Sequence, residues 1–377
     1  MELIMSKALC RQIIKCKPKR LITSLALSFT MVLGITACGD PGTQKSSSDT
    51  ANSSGEKVVL RLSHFLPAPA AMNTKVFEPW AKKIEEESNG RLEIEIYPGS
   101  TLSKAGSTYE AATKGVIDIG VQLQGYTSGR FPLSQIAELP GLSNSSAQMS
   151  CLMQSLYDDG TLAEEYQDSH VLALYGLGPG VLHTTNKAIS TPDDMQGMRI
   201  RRPSSVAGDL IESMGGSPVG LPANDIYTSL QRGVIDGLSL PWDGVPDFRL
   251  NELVKYHTNI PLYSSAFVVN MNQQKYDSLP EDLKKILDDN SGMKLANLVG
   301  TVISEMDTKA LKAAKDAGDT IVEVLDPLND PEWAAPLSAG TEKYLASVRA
   351  SGLDADSVYE RVKEVSSVCK SNNSLSK

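Results

Sequence analysis

The side chains best suited to holding a small anion are concentrated in one short run, Gly197-Met198-Arg199-Ile200-Arg201-Arg202-Pro203. If the run is a strand, alternation sends Arg199 and Arg201 to one face and Arg202 to the other. Arg201 stands near the C-terminal end, where ligands of open α/β sheets bind. A guanidinium fork matches a carboxylate with two parallel hydrogen bonds. The same arginines on a solvated surface would be salt-bridged and inert, and the run alone does not decide between the two. The motifs of catalysis are missing elsewhere. His64, His170, His183 and His257 are scattered without metal-ligand spacing. There is no Walker loop and no G-x-S-x-G elbow. Gly176-Leu177-Gly178-Pro179-Gly180 opens like a dinucleotide fingerprint but has Val181 where the third glycine belongs, so it reads as a crossover loop. No enzyme site, metal or cofactor is expected.

The N-terminus addresses the compartment. Lys7, Arg11, Lys15, Lys17, Lys19 and Arg20 precede an apolar run from Leu21 to Ala37, the layout of a secretory signal. The run ends Ile35-Thr36-Ala37-Cys38, which resembles a bacterial lipobox and makes Cys38 the expected lipidation site, with 1–37 removed. Residues 38–57 are small and polar, a flexible tether with a reach of roughly 25 Å. Residues 1–37 carry six Lys/Arg and one Glu, net +5, which leaves −14 on the rest of a chain whose total is −9. An acidic body argues against nucleic acid as a partner. An anion would have to be bound by a local cationic site. Cys151 and Cys369 remain in the body, and spacing alone leaves open whether they pair.

About 320 residues follow the tether, enough for two lobes. Val58 to Phe65 reads as a strand, Thr74 to Ser88 as a helix, and Arg91 to Tyr97 alternates as a half-buried strand, giving a βαβ unit and a largely parallel sheet. An internal echo points to duplication: Tyr109 to Asp118 recurs as Tyr227 to Asp236, offset by 118, with Lys114-Gly115-Val116-Ile117-Asp118 matched by Arg232-Gly233-Val234-Ile235-Asp236. A basic residue and then glycine suits a helix C-terminus, and a buried strand is expected to begin at each Val-Ile-Asp. Strands are expected at Val171–Leu177, Met198–Arg202 and Ala266–Val269, with Ser204 or Ser205 capping a helix to Met214. A helical pattern runs from Pro280 to about Ala317, bent or broken at Gly292 and Gly300. The expected fold is α/β, a two-lobed clamshell with a hinge and a long helix after lobe two. Lobe I is 58–178, completed by about 261–330; lobe II is 179–260; 331–377 is a C-terminal segment.

Several segments carry a family resemblance: Trp80 to Ser88, Leu92-Glu-Ile-Glu-Ile-Tyr-Pro-Gly99, Met195 to Pro203, Leu230-Gln-Arg-Gly-Val-Ile-Asp-Gly237 and Leu279-Pro-Glu-Asp-Leu283. In this order and spacing, the stretch from about Val58 to Ser291 resembles the DctP-type solute-binding subunits of TRAP (tripartite ATP-independent periplasmic) transporters. The resemblance implies a periplasmic binding protein, two integral-membrane partner subunits driven by an ion gradient, no ATP and no catalysis. It places Arg201 at the family's carboxylate-binding arginine, with Arg202 replacing the usual apolar residue. Two departures mark this chain. Leu182 stands where many acid-binding members carry a second Arg, and Leu240-Pro241, followed by Trp242, replaces Asn-Pro. A subgroup shares Gly125 to Pro132 and Pro241-Trp242-Asp243. Such a pocket suits a small monocarboxylate with an aromatic or branched body. Its expected walls are Arg201, Ser204, Leu240 and Trp242 on one side, and His64, Phe65, Gln124, Tyr126 and Phe267 on the other, with Trp242 and Tyr126 stacking on the ligand. A clamp serving a sensor or another transporter class, and an exported hydrolase or lyase, are the alternatives.

Overall fold

The computed structural model describes residues 55–375, with side chains to residue 371. The signal segment, Cys38 and most of the tether lie outside the described residues. Among these, nine strands form one sheet: β1 Val58–Ser63, β2 Leu92–Tyr97, β3 Ile119–Leu123, β4 His170–Thr184, β5 Arg199–Arg202, β6 Ser217–Gly220, β7 Gly237–Leu240, β8 Tyr256–Met271 and β9 Thr320–Glu323. Their order is β2-β1-β3-β8-β4-β7-β5-β6, with β9 beside β8. The order reads alike from either end. β1 lies between its parallel neighbours β2 and β3, and β5 between its parallel neighbours β6 and β7. Each triplet is then flanked by a long antiparallel strand, β8 against β3 and β4 against β7, and the two long strands pair with each other. Alternation along β8 sends Phe267, Val269 and Met271 to one hydrophobic core and Ala266 and Val268 to another.

The echo is built as a repeated joint. Helices α1 (Glu78–Glu87) and α2 (Thr108–Thr113) belong to the first triplet, followed by α3 (Ser146–Asp158). Helices α4 (Ser205–Ser213) and α5 (Ile226–Gln231) belong to the second. α2 closes on Lys114 and α5 on Arg232, and Gly115 (φ +70°) and Gly233 (φ +64°) make the left-handed turn that a side chain resists. The strands begin later than expected, at Ile119 and Gly237, because Val116 and Val234 point outward while Asp118 and Asp236 serve as side-chain acceptors. Asp118 takes the backbone N–H of Arg61 at 2.8 Å, and Asp236 that of Arg199 at 2.8 Å. Each also takes the Nε of the same arginine.

Two strand expectations were too short. Val171–Leu177 and Ala266–Val269 are parts of β4 and β8, which continue through Pro179 and Pro261. The pairing shifts register between Gly176 and Pro179 and again between Gly180 and Leu182, so the missing proline N–H groups fall where the ladder is already irregular. The glycine-rich stretch is therefore strand rather than crossover loop. Its glycines admit neighbours: a Cβ at Gly176 would strike Met149, at Gly178 Asp307, and at Gly180 the ring of Tyr263.

After β7 come the short α6 (Gly244–Asp247) and, after β8, α7 (Gln273–Asp277), α8 (Glu281–Asp289) and α9 (Met293–Asp316). The long helical pattern breaks at Gly292 (φ +58°), whose N–H reaches Leu172 O. α9 then passes unbroken through Gly300, where a Cβ would sit 2.7 Å from Ala147 Cα of α3, so this glycine is a packing device. At 1.5 Å per residue α9 is about 36 Å long. α10 (Ala334–Ala350) packs on α4, and α11 (Ala355–Leu375) packs on α3. A disulfide joins Cys151 of α3 to Cys369 of α11, with Cα atoms 5.8 Å apart. Among the described residues no helix is long and apolar enough to cross a membrane.

Candidate functional site

Arg201, the third residue of β5, is fully buried. Parallel pairing with β6 and β7 aims it at the strand ends, and three of its five N–H groups are committed. Nε donates to Leu221 O at 2.8 Å, Nη1 to Ser239 O at 3.1 Å, and Nη2 to the Tyr126 hydroxyl at 3.0 Å. One N–H on each Nη has no protein acceptor, and among the described residues no acidic side chain pairs with Arg201. The Tyr126 oxygen also accepts from Ala223 N at 2.9 Å, which leaves its own O–H free to donate. Burial pushes this phenol above its usual pKa, with Arg201 pulling the other way, so it remains protonated. Tyr126 thus links the turn after β3 to β5. Gly125 permits that approach, because a Cβ there would lie 2.5 Å from Ser204 Cβ.

Arg201 opens on a slot of about 30 Å³, room for about two water molecules. Its walls are mainly apolar and aromatic, with Phe65, Leu123, Leu240, Phe248 and Phe267 around Arg201 and Tyr126. Phe65 meets Tyr126 edge-on at 5.2 Å and lies nearly parallel to Phe267 at 6.2 Å. A wider groove of about 510 Å³, lined by Pro67, Asn224, Tyr227 and Arg249, shares Phe65, Asp247 and Phe248 with the slot and forms its mouth. Two acids stand in the slot wall, Asp243 and Asp247. Burial pushes Asp247 up to about 6, against the pull of the Ala71 amide.

Of the residues expected at the site, the structure brings Arg201, Tyr126, Phe65, Leu240 and Phe267 together and keeps four others out of the slot wall. Trp242, expected to stack on the ligand, lies outside the slot wall. Its indole donates to Asn259 Oδ1 at 2.9 Å, packs on His183 and His257 at 5.0 and 4.9 Å, and lines a separate open groove with Asp307. There it braces the long strands. His64 is buried against Asn73 Oδ1 at 2.9 Å, and burial lowers its pKa, so it is a neutral core histidine. Gln124 donates to the Tyr166 hydroxyl at 2.8 Å, and Ser204 caps α4 by accepting from Ala207 N at 3.3 Å. Sequence reasoning missed Tyr263, Ser265, Phe248, Asp243 and Asp247. Of these only Asp243 had a signal, its place in the Pro241-Trp242-Asp243 run. Arg202 emerges on the other face of β5 against Gly208, as alternation requires.

Comparison with known proteins gives a concordant picture. The DctP model, described as bacterial extracellular solute-binding protein family 7, matches residues 62–346. A TRAP solute-binding protein from a marine metagenome, specific for aromatic acid ligands and crystallised with 3-hydroxybenzoate, is 36% identical to this chain. Its TM-score is 0.78, over 83% of this chain and 99% of that one. A TRAP solute-binding protein of Rhodoferax ferrireducens, in complex with copurified benzoate, is 30% identical with a TM-score of 0.80, over 84% of this chain and all of that one. The C4-dicarboxylate-binding periplasmic protein of Rhodobacter capsulatus is 27% identical over 314 residues, 78% of this chain and 91% of that one.

Proposed function

The chain belongs to the DctP family of bacterial extracellular solute-binding proteins, periplasmic subunits that serve two integral-membrane partners in a TRAP transporter, and we propose that its ligand is a small aromatic monocarboxylate. Arg201 carries this reading. A guanidinium cannot shed its proton, and a buried charge without a counter-charge is costly. Arg201 is fully buried with no acidic partner among the described residues, and it keeps one uncommitted N–H on each Nη beside a free Tyr126 O–H. A carboxylate supplies the missing charge and accepts all three donors. Phe65, Phe248 and Phe267 suit a flat apolar body. The slot is too narrow for a ring until its walls part, which is what a two-lobed clamp provides. The solved relatives that hold benzoate and 3-hydroxybenzoate support an aromatic acid. Asp243 and Asp247 in the wall disfavour a second carboxylate on the ligand.

Native mass spectrometry of the purified protein would weigh any acid that accompanies it. Calorimetry with benzoate, its hydroxylated forms and succinate would rank the classes. One aromatic acid per chain is expected; tight binding of succinate with no response to aromatic acids rejects the reading. The protein is also proposed to be held at the membrane by a lipid on Cys38, on the strength of the Ile35-Thr36-Ala37-Cys38 run. Cys38→Ser should leave the membrane fraction or persist as uncleaved precursor. Unchanged fractionation with a different N-terminus would reject the anchor.

A further inference from the structure

The slot has a second polar place that the carboxylate grip does not use. Asp243 follows β7 and forms part of the slot wall. It is 7% exposed, and its Oδ1 is buried with no hydrogen-bond partner. Its backbone N–H donates to Asp307 Oδ1 of α9 at 2.8 Å, and the two carboxyl groups lie within hydrogen-bond reach of each other. Asp307 reaches this position because residue 178 is glycine. Neither acid has a cationic partner among the described residues. Nearby, the hydroxyl of the fully buried Tyr175 also lacks a partner, although its ring lies flat on the slot residue Phe267 at 5.0 Å. One unsatisfied polar group thus stands in the slot wall and a second just behind it, and Asp243 is beyond ion-pair distance from Arg201.

We infer that Asp243 selects among aromatic acids by accepting a hydrogen bond from a hydroxyl on the ring, with Asp307 holding it in place. Two carboxyls in so dry a place do not both ionise. Burial raises both. Asp307 is held to about 6 by the amides of Asp243 and Trp242, while Asp243, facing the charges of Asp307 and Asp247, goes well above its usual range. The pair therefore shares one proton across their contact, and Asp243 Oδ1, which has no partner, is left as the acceptor. A ring without a hydroxyl strands that acceptor, and a ring bearing a second carboxylate meets the negative pair. The inference rests on the aromatic-monocarboxylate reading and narrows it to phenolic acids.

The competing account makes the Asp243–Asp307 contact only a tie between the turn after β7 and α9. The test titrates benzoate, 3-hydroxybenzoate and 4-hydroxybenzoate into the wild type, Asp243→Asn and Asp243→Leu, with unliganded melting temperatures recorded alongside. The wild type should bind at least one hydroxybenzoate about tenfold or more tighter than benzoate. Asp243→Asn, whose amide can donate to Asp307 and present its oxygen to the ligand, should keep that ratio. Asp243→Leu should bring the ratio near one, whatever it does to benzoate affinity itself. If the leucine variant does not fold, Asp243→Ala takes its place. A preference that survives loss of the acceptor, or an equal loss for all three acids, overturns the inference. A wild type that binds benzoate and the hydroxybenzoates equally sinks it alone. A wild type that binds none of them sinks the aromatic reading and this inference together.

Discussion

The β1–β3 and β5–β7 halves repeat each other strand for strand, and two charged side chains near the sheet are buried with no ion-pair partner among the described residues: Glu138, on the connection that follows β3, and Arg201 in β5. Glu138 accepts the Ala266 amide at 3.1 Å, and burial pushes it up to about 7, with the Ser204 hydroxyl and that amide opposing. It relieves its charge by taking a proton near neutral pH. Arg201 has no such route, because a guanidinium stays charged at any pH a protein survives. A buried carboxyl without a partner is therefore self-contained, whereas a buried guanidinium without a partner calls for an anion from outside. The same contrast separates Arg201 from Arg199, two residues back on the same strand, whose carboxylate is already supplied by Asp236 at 2.7 Å.

The largest effect expected from breaking this contrast is in ligand affinity. Arg201→Ala removes one side of a buried charge pair and should weaken aromatic-acid binding by about 30-fold to several thousand-fold. Arg201→Lys keeps the charge without the fork and should recover only part of the loss. Arg199→Ala and Arg202→Ala should each stay within about threefold, since one engages Asp236 in solvent and the other lies on the opposite face of β5. Equal losses at positions 199 and 201 would mean that the slot is not the binding site.

Glu138 should show its effect in stability. Its folded pKa of about 7 lies above the ordinary 4.5, so between those values the folded state holds a proton that the unfolded state has released. Its contribution is fully present below pH 4.5 and is lost as pH rises to 7, by at most about 3 kcal/mol. His183 acts in the opposite direction. It is lowered to about 3 by burial and by His257, and it costs stability as pH falls below 6.5. Glu138→Gln keeps an acceptor for Ala266 without titrating. Its stability relative to wild type, from denaturant melts at pH 5 to 8, should therefore climb with pH. Parallel curves would mean that the folded carboxyl is already charged across this range, as it is in the unfolded chain.

Much of this was legible in the sequence, and the rest was hidden for identifiable reasons. The duplicated joint could be read from Lys114-Gly115 and Arg232-Gly233, because a helix C-terminus imposes the same chemistry wherever it occurs. Arg201 followed from strand alternation and family position together. The long strands did not, since Pro179 and Pro261 read as strand stops and only the cross-strand register shows that they fall at irregularities. The surroundings of Trp242 were hidden for the same reason. Its partners His183 and His257 lie on β4 and β8, whose pairing brings together residues 74 apart. Tyr263 and Ser265 reach the slot through that pairing as well. Asp307 reaches Asp243 from α9 across 64 residues, with only a glycine at 178 to mark the contact, and no local pattern announces it.

The smallest effect tests whether the two halves are as equivalent in energy as they are in form. Asp118 and Asp236 each hold one backbone N–H of a neighbouring strand, that of Arg61 in β1 and of Arg199 in β5, together with the Nε of the same partly exposed arginine. Asp118→Ala and Asp236→Ala should each cost about 1 kcal/mol of stability, most of it from the backbone bond, since exposed ion pairs add little. They share no partner, so the double variant should show the sum. Affinity should separate them. Asp118 steadies β1, beyond which Phe65 contributes only apolar contact, and such contact tolerates small shifts. Asp236 steadies β5, where Arg201 is proposed to present two N–H groups at a fixed angle to a carboxylate. A loosened β5 should weaken ligand binding a few-fold, while a loosened β1 leaves it within about twofold. Calorimetry on the two single variants decides it: if Asp118→Ala loses as much affinity as Asp236→Ala, the slot depends on both strands alike and the guanidinium is not the part of the site most sensitive to position.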